Sequence, residues 1–147
     1  MEATGRLDGY LRLPGRIAAG LGHGAYFMGL AWVREAVEHA LGFAPYPGTL
    51  NVQLADRGAC LAWRAIRERP SIRLAPPPPE TCGGWLVPLT VAPDVRAAAV
   101  VPDVTRHGED VLEIIADVHV RTRLGLQEGD PVTLLFALDS SAPRERW

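Results

Sequence analysis

Cysteine is scarce in this chain: Cys60 and Cys82 are the whole supply. Two thiols build neither a disulfide framework nor a four-ligand zinc site, so reduced side chains are expected, with a single bridge left open. Histidine is sparse as well. His23, His39, His107 and His119 fall at no recognisable metal spacing, and His39 reads as a structural or exposed residue of a helix. A surplus of either charge is missing, since 15 Lys and Arg against 17 Asp and Glu leave a net charge of −2. That argues against a dominant nucleic-acid role, because phosphate affinity needs a basic surplus or a concentrated basic patch. Long apolar runs are absent: none approaches the roughly 18 to 20 residues needed to cross a bilayer. The opening MEATGRLDGYLRLPG lacks the apolar segment of a signal peptide. There is no G-x-S-x-G elbow, and neither cysteine sits in a catalytic pattern. The expectation is a cytoplasmic monomer that engages neither membrane nor nucleic acid.

What the chain has is an ordinary globular composition, 48% apolar and 22% charged over 147 residues, enough for one domain with a real core. Tyr10 to Ile17 reads as extended, with Pro14-Gly15 expected to turn or bulge it. AGLGHGAYFMGL reads as a flexible loop entering a strand. In AWVREAVEHALGF, Trp32, Val33, Ala36, Val37, Ala40 and Leu41 share one side of a helical wheel, Arg34 and Glu38 can pair on the other, and Gly42 falls where a C-cap belongs. Residues 57 to 68 suggest a second, weaker helix, and Arg64, Arg67, Arg69 and Arg73, interleaved with Glu68, read as a solvated helical face. Four prolines at 76 to 79 form a stiff connection. After them come strand-length apolar segments, GWLVPLTV, RAAAVVP, DVLEIIADVHV and PVTLLFAL, separated by turn residues. A mainly β single domain with short helices is expected over 1–138, with a disordered tail, DSSAPRERW, over 139–147.

Three clusters invite a chemical reading. The loop GLGHGAY has backbone N–H groups that could cradle phosphate, but it matches neither G-x-G-x-x-G nor G-x-x-x-x-G-K-[ST], and such glycines more often satisfy a turn. In PYPGTLNVQL a proline turn leads into a strand in which Thr49 and Asn51 share one face and Leu50, Val52 and Leu54 the other. Two neutral oxygens suffice for Mg²⁺ when a nucleotide supplies the negative charge; a polar strand face is the plainer alternative. In VLEIIA, Glu113 interrupts an apolar run, so its carboxylate either reaches the rim or is held for a ligand. Thr105, His107 and Arg121 lie in the same stretch of sequence.

The order of these clusters carries a resemblance. A G-x-G-x-G-x-Y-F loop, a helix, GF-x-PYPGTLN-V, P-x-x-T, VLEIIA and a closing R-x-x-L-x-L-x-x-GD-x-V, from about Gly15 to Phe136, resemble the CTP-dependent riboflavin kinases best known from archaea. The resemblance implies a cradle-loop six-stranded β-barrel with short helices. It implies transfer of the γ-phosphoryl group of CTP to the ribityl 5′-hydroxyl of riboflavin, giving FMN and CDP with Mg²⁺. It assigns the nucleotide phosphates to Gly20, Leu21, Gly22, His23, Gly24 and Ala25, and the cytidine pocket to Val118, His119, Val120 and Arg121. It assigns Mg²⁺ to Thr49 and Asn51, and flavin to Thr105 and Glu113, which makes Asn51 and Glu113 the expected catalytic pair. Many members carry Glu where this chain has His23, and a basic residue where it has Ala25.

The enzyme reading competes with two others. A non-catalytic flavin- or nucleotide-binding module on the same barrel would bind riboflavin or CDP without turnover. A DNA-binding relative would share a small barrel closed by LGLQEGDPV, and the acidic balance speaks against it.

Overall fold

The computed structural model describes residues 3–19, 27–69, 71–103 and 110–138. Its strands are β1 (Gly5–Leu7), β2 (Tyr10–Ala18), β3 (Leu50–Leu54), β4 (Ile72–Leu74), β5 (Gly84–Val91), β6 (Val95–Pro102), β7 (Val111–Ala116) and β8 (Pro131–Ala137). Among the described residues the helices α1 (Ala31–Leu41), α2 (Arg57–Arg67) and α3 (Val120–Leu124) interrupt them. Pairing runs β2–β3–β7–β6–β5–β8 and returns from β8 to β2, every neighbour antiparallel, so six strands close into a barrel. Closure leaves no free edge among these six; β1 and β4 extend the wall beside β2 and β5. The expected fold class is thereby met.

Strand alternation sorts the core into two layers. Inside the barrel lie Leu13, Val52, Leu54, Leu89, Ala97, Ala99, Leu112, Ile114, Leu134 and Phe136. Helix α2 closes onto this layer with Ala59, Trp63 and Ile66, at helical spacing; Asp56 caps it by accepting from the Ala59 N–H at 2.8 Å. Trp63 meets Phe136 at 5.8 Å between ring centroids. The outer wall of β5, β6 and β7 carries Leu86, Ala98, Val100 and Ile115, and α1 covers it with Val33, Val37 and Leu41. Gly42, at φ 77°, ends α1 in the left-handed conformation and donates to the Glu38 carbonyl.

Four local expectations differ from the structure. Pro14 and Gly15 neither turn nor bulge β2, whose register to β8 runs unbroken from Tyr10↔Ala137 to Arg16↔Pro131. Pro14 still serves as an acceptor, taking the Ala55 N–H at 2.9 Å, and Gly15 is there for closeness: a Cβ would stand 2.5 Å from Val52 Cγ1 and 2.9 Å from the Gln53 carbonyl oxygen. Phe27 and Met28 are helical and buried, not the start of a strand. DVLEIIADVHV is not one strand, because β7 ends at Ala116 and α3 starts at Val120. Arg73 is not on a helical face with Arg64 and Arg67; it lies on β4 and binds Asp103 with both guanidinium nitrogens, at 2.7 and 3.0 Å. No helix among the described residues is long and apolar enough to cross a membrane.

Candidate active site

Asn51 and Glu113 are the buried polar side chains among the described residues, 9% and 3% exposed. They are also direct cross-strand partners. Side chains directly opposite in an antiparallel pair leave from the same face with Cβ atoms about 4.5–5.5 Å apart, so the amide and the carboxylate sit side by side. The row that holds them continues in register across the wall as Ala18, Asn51, Glu113, Val100, Leu86 and Ile72. Val100 and Leu86 belong to the outer layer, whereas Leu50, Val52, Leu112 and Ile114 point into the barrel. Asn51 and Glu113 therefore form a polar step on an otherwise apolar outer wall. Glu113 is not at the rim, and it makes an interaction of its own.

Thr49 stands immediately before β3, half-buried, two residues from Asn51. It lines a cavity of about 290 Å³ together with Tyr46, Pro47, Gly48, Leu50, Ile114, Ala116, Val118, His119, Val120 and Arg121. The structure thus brings Thr49 together with all four residues expected to hold cytidine, although they are some seventy positions apart in sequence. Asn51 and Glu113 do not line this cavity; Thr49 connects it to them along β3. Local causes are visible on each side. Gly48, at φ 103°, allows the turn before Thr49. Gly125, at φ 66°, ends α3 in the left-handed conformation with its N–H on the Arg121 and Thr122 carbonyls.

Tyr46 is a residue that sequence reasoning passed over. Its backbone N–H donates to the Ala116 carbonyl at 2.7 Å, and its ring, 45% exposed, lies 4.9 Å from the His119 ring at an angle of 37°. His119 Nδ1 is 2.6 Å from Thr122 Oγ1, which fixes the imidazole. Two adjacent rings on one cavity wall, one of them held by a hydrogen bond, suit a flat base. An aromatic residue inside the proline-glycine turn was the available signal.

Of the remaining expected site residues, Gly20, Leu21, Gly22, His23, Gly24, Ala25 and Thr105 lie outside the described residues. Ala18, the last residue of β2, is the register partner of Asn51, so the chain leaves the barrel beside the polar step just before the glycine-rich stretch.

The donor chemistry here is oxygen: a hydroxyl at Thr49, an amide at Asn51 and a carboxylate at Glu113. No group of three His, Cys, Asp or Glu that could hold a metal occurs among the described residues. Such a set suits a hard cation that obtains further charge and ligands from a bound phosphate, and does not suit a zinc-type site. Nor is Cys60 an activated thiol: burial, then Asp110 and Asp56, push it above its usual range, away from the thiolate. Cys60 and Cys82 are both free.

The chain is thus a closed barrel whose outer wall carries a buried amide–carboxylate pair, joined through Thr49 to a cavity with two rings on its wall. The family model described as "Domain of unknown function DUF120", with the short name CTP-dep_RFKase, matches residues 17–135. Curated riboflavin kinases are similar along most of the chain. That of Pyrobaculum islandicum is 38% identical over 135 residues, covering 88% of this chain and 62% of the relative. That of Pyrobaculum calidifontis is 42% identical over 130 residues, covering 84% and 59%. That of Aeropyrum pernix is 38% identical over 121 residues, covering 80% and 89%. The chain belongs to the CTP-dependent riboflavin kinase family. It spans about three fifths of the length of the two Pyrobaculum relatives.

Proposed function

We propose that this domain, taken as 1–138 with 139–147 as a tail, phosphorylates riboflavin with CTP, giving FMN and CDP. The observation that supports this most is the Asn51–Glu113 step on the outer wall, joined through Thr49 to the cavity formed by Tyr46 and Val118–Arg121. In the reaction the ribityl 5′-oxygen forms a bond to the γ-phosphorus of CTP, the bond from that phosphorus to the β-bridging oxygen breaks, and the hydroxyl proton is released. Phosphoryl transfer asks a protein mainly to position the two substrates and to meet charge as it develops.

The residues divide that work. Tyr46 and His119 form one wall against which the cytosine packs, with Val118, Val120 and Arg121 completing the pocket. Gly20–Ala25 hold the phosphates through backbone N–H groups. Thr49 and Asn51 hold Mg²⁺, which when bound neutralises charge on the transferring phosphates. Glu113 and Thr105 hold the flavin, and the Glu113 carboxylate is placed to take the ribityl proton. At 3% exposure Glu113 is kept from competing water, and burial strengthens its polar contacts.

The test is FMN formation from riboflavin and Mg²⁺ with CTP, ATP, GTP or UTP, read by chromatography. Turnover with CTP is expected. Absence of FMN with all four donors, from folded and metal-loaded protein, overturns the proposal.

A further inference from the structure

A second cleft, of about 300 Å³, lies elsewhere on the barrel and is lined by Arg67, Arg69, Ser71, Trp85, Val87, Val101, Pro102 and Asp103. It shares no lining residue with the cavity at Thr49. It also opens from the opposite side of the sheet to the Asn51–Glu113 step. Along β5 and β6, Val87 and Val101 pack with the inner layer, whereas Leu86 and Val100, their chain neighbours, pack with the outer layer that contains the Glu113 row. Trp85 shares the parity of Val87 and is the register partner of Val101, so the indole stands over the inner-face floor.

The walls are prepared for a flat anion. Trp85 is 40% exposed, yet it is held: the Arg73 guanidinium carbon lies 5.1 Å from its ring centroid, and Arg73 is itself fixed by two bonds to Asp103. Asp103 is fixed in turn by the Gly83 N–H at 3.1 Å. Because Arg73 and Asp103 neutralise one another, the charged side chains that remain among the described lining residues are the cations Arg67 and Arg69, on either side of Glu68 in the chain. Arg67 ends α2, whose C-terminal carbonyls offset part of its charge, while Arg69 lies beyond the helix. Ser71 adds a hydroxyl. Guanidinium groups and a hydroxyl around an exposed indole over a valine floor are what a ring-bearing phosphomonoester requires: its phosphate takes the arginines and its ring stacks on Trp85. The volume falls at the small end of ligand pockets, as suits one ring system and one phosphate.

We propose that this cleft binds a phosphomonoester of a flat heterocycle, as a site separate from the one that carries out phosphoryl transfer. A nucleoside monophosphate and FMN share that chemistry, and FMN would make the cleft a sensor of the domain's own product.

The test reads the tryptophan indole N–H resonances of the ¹⁵N-labelled full chain, with Trp85→Phe assigning the Trp85 signal. AMP and FMN are titrated separately, with adenosine and inorganic phosphate as controls. The Trp85 signal should move with AMP, FMN or both, with dissociation constants at or below about 1 mM, and with AMP those of Trp32 and Trp63 should stay in place. Movement with AMP alone identifies a nucleotide site, and movement with FMN alone identifies a product site. Arg67→Ala combined with Arg69→Ala should weaken binding at least about tenfold, while Asn51→Ala leaves it unchanged. The proposal is overturned if neither phosphomonoester moves the Trp85 signal. It is equally overturned if adenosine or phosphate alone moves it as far, or if the arginine variants bind as tightly as the parent.

Discussion

Replacing Glu113 by Met separates a carboxylate kept for chemistry from one kept for the fold. Glu113 is 3% exposed and lies in register between Val100, part of the apolar outer layer, and Asn51. A methionine of similar length would extend that layer, gaining about 1.5–3 kcal/mol from buried apolar surface. Against this, the interaction that Glu113 makes is lost, and a partner left unsatisfied costs about 1–3 kcal/mol. The two effects nearly cancel, so Glu113→Met should remain folded with a stability within about 1.5 kcal/mol of the parent. In a domain of this size that is a shift in Tm of no more than about 6 °C. FMN formation, by contrast, should fall at least about 100-fold, the loss typical of a group that positions a reacting atom or takes its proton. The assays are a thermal melt and a riboflavin–CTP turnover measurement on the same preparation. A loss of stability above about 4 kcal/mol would place Glu113 among structural residues. Full turnover by the folded variant would refute its role in the reaction.

Other perturbations probe neighbouring parts of the argument. Gly15→Ala puts a Cβ 2.5 Å from Val52 Cγ1 and 2.9 Å from a backbone oxygen, so it should destabilise the barrel by about 1–3 kcal/mol, seen as a lower urea midpoint with an unchanged slope. Tyr46→Ala should raise the KM for CTP while leaving that for riboflavin near the parent value, and Tyr46→Phe should restore it if the ring is what the proposed base packs on. The Arg73 hydrogen bond holds the Asp103 carboxyl below the usual carboxylate range. A depressed folded pKa gives stability that is present above the unfolded value of about 3.9 and is lost as pH falls through the lower folded value. Asp103→Asn should therefore lower Tm at pH 7, with the difference from the parent vanishing in acid.

Much of this architecture was legible in the residues because local and global preferences agree. Helix α1 follows from apolar spacing and a glycine C-cap, and the strands β5, β6 and β8 follow from apolar runs bounded by turn residues. Pro14-Gly15 misleads because the same dipeptide that breaks strands elsewhere here meets a tertiary need, the close approach of β3, which no local rule contains. The end of β7 is hidden for a related reason: DVHV alternates well enough for a strand, and only the Gly125 cap downstream reveals the helix. For the site, alternation alone predicts that Thr49 and Asn51 share a face. That Asn51 lies opposite Glu113, and that Thr49 meets Val118–Arg121, are facts of register and chain return across some sixty to seventy residues. Periodicity cannot supply them. The order of motifs, through the family resemblance, names these residues as candidates but says nothing of which lie side by side.

The most direct measurement is the rate of FMN formation by Asn51→Ala beside the parent, with riboflavin, CTP and Mg²⁺, together with an unfolding curve for each. The side chain is 9% exposed and stands beside Glu113 on the outer wall. The account predicts a rate reduced by about 100- to 1,000-fold, the scale of losing one preorganised polar group at a transferring centre, with a stability loss below about 2 kcal/mol. Turnover at the parent rate by the folded variant would contradict the claim that the polar step on the barrel wall is where the phosphoryl group is transferred.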